Sequence, residues 1–204
     1  MRKSTILIKH VYKIFVRLIS SDFNVCGGWV EVVDRDREGV GMSGGVESGL
    51  ELVVVVNNVS SPQRLIDFAK MVYGLINLKS SLVFTRVSGM AAQTGVPEVS
   101  KYLFRLGKPL LILPTPQDVI DLLKPDRVLV LAKTEVSKDI EEVASDLKGK
   151  VALVVNGGDT PPSKTELSLG DHVMVGELDP STPPQATLAI ALYVIAKKRT
   201  RKNI

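Results

Sequence analysis

From Glu51 onward, apolar and polar positions fall into short blocks whose period switches back and forth between strand and helix. Leu52-Val-Val-Val-Val56 is a continuous β-branched run, the pattern of a strand covered on both faces in a parallel sheet. It ends in polar Asn57 and Asn58. Ser60 or Ser61 then caps a helix with Pro62 in its first turn, running to about Leu75 with Leu65, Phe68, Ala69 and Val72 on one face. The pattern predicts further strands at 81–87, 109–113, 127–132 and 151–155, and a shorter one beginning at His172. Helices are predicted at 98–106, 117–123 and 137–147, with a last, alanine-rich helix following Pro183 and Pro184. Strand and helix alternate throughout, so the expected fold class is α/β, a mostly parallel sheet flanked by helices. The loop from Ser88 to Pro97 is long and glycine-bearing, a type that often carries function.

Residues 1–50 form a different kind of sequence and are expected to be an extension of the domain at 51–204. Ile8, Val11, Phe15 and Leu18 fall three and four apart, with Lys9, Lys13 and Arg17 on another face. That is a basic amphipathic helix pattern, suited to a membrane surface, to RNA or to packing on the main domain. A glycine- and serine-rich stretch from Gly39 to Gly49 reads as a linker. Met42 lies inside it, so a start there, with residues 1–41 an over-extended frame or a poorly ordered arm, stands beside the functional readings. No apolar run approaches the ~20 residues of a membrane span, no cleavage site follows the basic start, and Cys26 has no partner for an internal disulfide. A cytoplasmic protein is expected.

Charge changes the picture only once it is located. The 204 residues, 45% hydrophobic, suffice for one well-filled domain and carry 26 basic and 22 acidic side chains. Five of the basic residues lie at 197–202 (Lys197, Lys198, Arg199, Arg201 and Lys202), leaving 21 basic against 22 acidic elsewhere. The excess is a C-terminal tail, which fits either a phosphate-contacting extension or a solvated helix end favoured by the helix dipole.

Several chemistries are poorly served. No Gly-x-Gly-x-x-Gly follows the first strand, and there is no P-loop or Gly-x-Ser-x-Gly elbow. The two histidines, His10 and His172, and the one cysteine never reach ligand spacing, so no metal site is expected. Pro125-Asp126 followed by Glu135-Val-Ser-Lys138 imitates the Pro-Asp…Glu-x-Lys metal site of RecB-like nucleases. Alternate strand residues project to one side, so Glu-x-Lys would join carboxylate and lysine at a metal while Glu-x-x-Lys does not. A nuclease is therefore the weaker alternative.

The last fifty residues have the outline of a ligand site. Two apolar runs end in glycine turns, Asn156-Gly157-Gly158 and Gly176, and in parallel α/β sheets ligands collect beyond the carboxyl ends of strands. Val151 to Glu166, with Gly157, Gly158 and Asp159 in its turn, resembles the second motif of the SPOUT family of RNA methyltransferases. Val173-Met-Val-Gly-Glu177 with the helix from Pro183 to Tyr193 resembles that family's third motif, and the proline turn Ser61-Pro-Gln-Arg64 its first. Thr182-Pro-Pro-Gln185 stands where the third motif usually reads Ser-Leu-Asn.

The resemblance implies a C-terminal trefoil knot, S-adenosylmethionine as cofactor, RNA (tRNA or rRNA) as substrate and a homodimer formed across the last helix. It implies a cofactor pocket at Leu113, Pro114 and Thr115, at Asn156, Gly157 and Gly158, and at Met174, Val175 and Gly176, closed by Gln185 and Ala186. Arg64 would orient a phosphate or polarise the target, and Asp159 would accept a proton or a ribose hydroxyl. Arg64 can equally be an exposed first-turn residue and Asp159 a helix cap. A member that binds nucleoside or RNA without transferring methyl is the other alternative.

Overall fold

The computed structural model describes residues 50–75, 79–176, 178–179 and 181–202. The predicted basic amphipathic helix and the glycine-rich linker lie outside the described residues. In chain order the elements are β1 (Glu51–Asn57), α1 (Pro62–Gly74), β2 (Ser80–Thr85), a π-helical turn (Ala91–Gly95), α2 (Val96–Arg105), β3 (Leu110–Leu113), α3 (Pro116–Leu123), β4 (Arg127–Leu131), β5 (Lys138–Asp139), α4 (Ile140–Ala144), β6 (Lys150–Asn156), α5 (Lys164–Leu167), β7 (Asp171–Met174) and α6 (Pro184–Lys202).

Seven strands form one sheet in the order β3-β2-β1-β6-β4-β7-β5, and every pairing is parallel. β1 and β6 run in register over their full length, from Glu51 beside Lys150 to Asn57 beside Asn156. Their apolar runs alternate between two cores because successive side chains point to opposite faces. Leu52, Val54, Val56, Val151, Leu153 and Val155 join one core, which α1, α2, α4 and α6 cover with Phe68, Leu103, Ile140 and Leu188. Val53, Val55, Ala152 and Val154 join the other, under Val119 of α3 and Leu167 of α5. The fold class is thus α/β with a wholly parallel sheet flanked by helices.

The structure differs from the expected elements in three places. The stretch 88–97, expected as a long loop, is mostly helical, the π-helical turn Ala91–Gly95 running directly into α2 at Val96. The helix foreseen at 137–147 shrinks to Ile140–Ala144, because Lys138 and Asp139 pair with Val173 and Met174 as the edge strand β5. The short α5 was not foreseen, although Ser163 and Glu166 close a capping box around it. The basic tail continues α6, and part of its charge serves the fold: Arg199 Nη1 donates to Leu50 O (2.8 Å) and Lys198 Nζ lies 3.9 Å from Glu141 Oε2.

Tyr73 ties α1 to the edge of the sheet. Its hydroxyl donates to Pro109 O and accepts from Leu82 N (3.1 Å). Partial burial raises its pKa above the usual tyrosine value, and the Leu82 amide offsets this only in part. The folded protein therefore holds this proton to higher pH than the unfolded chain does. The resulting stability is complete below the unfolded value of about 10 and is lost as pH rises through the folded pKa. Denaturant unfolding between about pH 9 and 11.5 is expected to show a steeper alkaline loss in the wild type than in Tyr73→Phe.

Candidate cofactor site

The carboxyl ends of β1, β2 and β6 are joined by one buried polar network. Asn57 closes the apolar run of β1 and is 1% exposed. Its Oδ1 accepts from Thr85 Oγ1 (2.9 Å), and its Nδ2 donates to Glu166 Oε1. The same carboxylate oxygen accepts from Arg86 Nη1 (2.9 Å), while Oε2 accepts from the Ser163 amide (2.7 Å). Glu166 is thus a buried carboxylate with each oxygen satisfied, as burial of a charge requires. It holds the loop from Gly157 to Ser163 against the ends of β1 and β2. Asn58 and Arg86, the residues after Asn57 and Thr85, both take left-handed backbone with φ of 62° and 48°. Side chains other than glycine rarely adopt that region, and such residues tend to cluster at functional sites.

Beneath this loop lies a hollow of about 470 Å³, within the range of small-molecule sites. Leu131, Val155, Met174 and Val175 give it an apolar bed at the ends of β4, β6 and β7. Ala132 and Lys133 form one wall, and Asn156, Gly158, Asp159 and Thr160 a second. Leu178, Asp179, Ser181 and Thr182 lead into Pro183, Pro184 and Thr187 at the start of α6 and form the third.

Charges of both signs stand on the rim. Arg64 Nη2 donates to Asp159 Oδ1 (2.6 Å) and Nη1 to Gly157 O (3.2 Å). The Ser181 hydroxyl, and after it the Ser181 amide, hold Asp179 below its ordinary value, with Lys133 adding to the effect. The tight turn explains Gly157: a Cβ there would lie 2.5 Å from Val59 Cγ2 and 2.8 Å from Val56 Cγ1, both in the core.

Most of the expected site residues come together here. Arg64, Asp159, Asn156, Gly158, Met174 and Val175 line the hollow. Gly157 and Gly176 sit in the adjoining turns, the latter held by Asp139 Oδ2, which accepts from its amide (3.1 Å). Gln185 and Ala186 lie in the first turn of α6, between the lining residues Pro184 and Thr187.

Leu113, Pro114 and Thr115 do not belong to the group. β3 is the edge strand, three strand spacings or about 14 Å from β6. Thr115 caps α3 in a capping box with Asp118. The turn that meets those after Val155 and Val175 is the one after Leu131. Strand order was the missing information, since the pattern of β4 does not say that it lies between β6 and β7. Also unforeseen was the Asn57, Thr85, Arg86 and Glu166 network, although Ser163 and Glu166 stand at capping-box spacing in the sequence.

His172 serves structure. Its Nε2 lies 2.9 Å from Leu167 O and its Nδ1 2.9 Å from Thr134 Oγ1. The nuclease-like residues do not meet: Asp126 precedes β4 and Glu135 follows it. The five-residue strand between them separates them by roughly 16 Å. The Asp126 carboxylate instead accepts from the Lys150 amide (2.8 Å). Among the described residues, no group of three or more His, Cys, Asp or Glu could hold a metal ion.

Comparison with known proteins gives a family and a fold that point to different chemistries. Residues 89–194 match the model of the family described as RecB-family nuclease (DUF2122). A protein of Aeropyrum pernix whose name is that of a type II restriction enzyme, ApeKORF2002P, is 32% identical over 149 residues, covering 72% of this chain and 94% of its own. Among solved structures, the SpoU methyltransferase AviRb of Streptomyces viridochromogenes superposes with a TM-score of 0.60 at 17% identity, over 74% of this chain and 60% of that one. AviRb has also been crystallised with AdoMet. The TrmH/SpoU tRNA modifying enzyme of A. aeolicus gives 0.54 at 14% identity, over 74% and 77% of the two chains.

Glu166→Ala is expected to destabilise the protein by about 2–4 kcal/mol, because it strands the buried Asn57 amide and leaves Arg86 without its partner. Glu166→Gln, which keeps the acceptor facing both, should cost about half as much by the same reasoning. Urea unfolding of the two variants checks the order. By sequence the chain belongs to the DUF2122 family, described as RecB-family nucleases, and its domain is built on the SPOUT fold of the SpoU and TrmH methyltransferases.

Proposed function

We propose that this domain binds S-adenosylmethionine in the hollow and transfers its methyl group to RNA. The observation that carries the reading is the hollow itself, backed by the turns at the ends of β4, β6 and β7 on a SPOUT fold, those after β6 and β7 bearing glycine. Its apolar bed suits a purine, and main-chain groups at Asn156, Gly157 and Gly158 and at Met174, Val175 and Gly176 suit the nucleoside. Gln185 and Ala186 would close it from α6. Ala132 and Lys133 take the part first assigned to Leu113, Pro114 and Thr115. Lys133 and Asp179, both on the hollow's lining, fit the two ends of a zwitterionic amino-acid tail.

The bound cofactor would supply a methyl group already activated on sulfur, leaving the chain mainly to align and to exclude water. Arg64 and Asp159 are 30% and 79% exposed, and an exposed ion pair is worth little. An RNA phosphate can therefore take over the guanidinium, whose planar fork suits it, and free Asp159 to accept a proton or a ribose hydroxyl. A trefoil knot, a cytoplasmic location and a two-fold dimer belong to the same proposal. Exposed Ile190 and Tyr193 share one face of α6 and favour that helix as the dimer surface. Among the described residues no helix is long and apolar enough to cross a membrane.

A second reading, a metal-dependent nuclease, is favoured by the family description and by the Aeropyrum relative's name. The separation of Asp126 from Glu135 weighs against it, and a silent RNA- or nucleoside-binding protein remains the third.

Calorimetry with S-adenosylmethionine is expected to show one site per chain, and Ala132→Trp, which fills the hollow, to abolish it. Labelled-methyl transfer to RNA should fall at least about 100-fold in Arg64→Ala, with cofactor affinity within about threefold. Cofactor binding without transfer would leave the silent protein. Absence of binding together with magnesium-dependent cutting of DNA would establish the nuclease.

A further inference from the structure

The second half of α2 presents an unusual surface on the sheet-edge side of the molecule. Lys101, Phe104 and Arg105 stand at i, i+3 and i+4 and so share one helix face. Phe104 is 83% exposed, with Leu106 at 48% beside it. The helix is closed by Gly107 at φ +62°, where the Lys108 amide donates back to Leu103 O (3.0 Å). That turn sets Lys108 beside the end of the stripe, with its Nζ 5.9 Å from the centre of the Tyr73 ring. Among the described residues, no acidic side chain lies within ion-pair distance of Lys101, Arg105 or Lys108. Glu98, one turn earlier, is the one acid on the helix.

We infer that this face binds single-stranded RNA, with Phe104 stacking on a base while Lys101, Arg105 and Lys108 contact the phosphates around it. An exposed aromatic ring among unpaired cations is the combination that single-strand binding uses, since every base offers a π-face and every linkage a charge. A second copy of the chain is a poor occupant, because a two-fold contact centred on Phe104 would bring the three cations against themselves. The position also suits a strand engaged at the hollow. A Cβ on Gly95, at the head of α2, would lie 2.9 Å from Pro62 Cα, so the helix starts beside the turn that carries Arg64. Phe104, nine residues on, is about 14 Å further along the axis, roughly four stacked nucleotides. The choice of RNA over DNA rests on the methyltransferase reading above, but binding at this face does not depend on methyl transfer.

The test is fluorescence anisotropy of the full chain, without cofactor, on a labelled 12-nucleotide single-stranded RNA and the matching DNA. Wild type is expected to bind the RNA more tightly than the DNA. Phe104→Leu, which keeps an apolar side chain and removes the stacking face, should weaken RNA binding about 5- to 100-fold. Lys101→Ala/Arg105→Ala should weaken it and lower the slope of log K against log salt by about 1.4, two phosphates at about 0.7 each. Both variants alter exposed side chains and should keep wild-type thermal unfolding and S-adenosylmethionine binding.

No RNA binding by wild type, binding that neither variant alters, or preference for DNA would each overturn the proposal. So would a dimer that Phe104→Leu dissociates in light scattering. Loss of the methyltransferase reading with RNA binding intact would leave this surface standing, and the reverse result would remove the surface alone.

Discussion

The working end of the molecule depends on one buried carboxylate. Glu166 reaches across from the turn after β6 and accepts hydrogen bonds from Asn57 of β1, from Arg86 after β2 and from the Ser163 amide of its own cap. Without it, the loop from Gly157 to Ser163 would be tied down mainly at its rim. That rim consists of the Arg64 bonds to Asp159 and Gly157, the Asn156 bond to Thr160 O (2.5 Å) and a long Asn58 contact to Thr160. Rim contacts of this kind are exposed and individually weak, whereas a desolvated carboxylate meeting three donors has no equally good arrangement elsewhere. The glycines follow from the same constraint. A loop drawn down onto β1 leaves no room at Gly157 for a Cβ against Val56 and Val59.

The order of the strands then decides what the loop covers. β6 lies between β1 and β4, and β4 lies between β6 and β7, so consecutive strands β6 and β7 are separated by one that precedes both. The chain must pass over the end of β4 to reach β7, and a crevice opens where connections diverge to the two sides of a strand. The hollow occupies that place, with the β4 turn, Ala132 and Lys133, as one of its walls. Its apolar bed is an extension of the same strand residues that build the cores, which makes it rigid where a ligand would lie and polar only at the rim.

The strands were legible because a parallel sheet buries both faces, and burial writes itself as uninterrupted Leu and Val at 52–56 and Val, Ala and Leu at 151–155. Asn57 and Asn156 mark their ends just as plainly. What periodicity does not contain is lateral order. Leu110 to Leu113 and Arg127 to Leu131 look alike as runs, yet one is the sheet's edge and the other borders the hollow. The glycine turns at 157–158 and 176 were therefore found and their partner turn was misplaced. Glu166 escaped for a related reason: a capping-box glutamate on a four-residue helix looks local, and its long reach to Asn57, 109 residues away, exists only in the folded chain.

The charge pattern of the hollow bears on the two chemistries that the comparisons bring together. A site built to hold a divalent cation for phosphodiester cleavage gathers carboxylates whose mutual repulsion the metal relieves. In this hollow the carboxylates are already answered, Asp159 by Arg64 and Asp179 by the Ser181 hydroxyl and amide with Lys133 close by. Asp126 lies at the opposite end of β4, where it accepts the Lys150 amide. An electrostatically balanced rim around an apolar bed is better matched to a ligand carrying both signs on an aromatic body than to a bare dication. On that ground the nucleoside cofactor is the stronger reading, and the family's nuclease description would need carboxylates that this arrangement keeps apart.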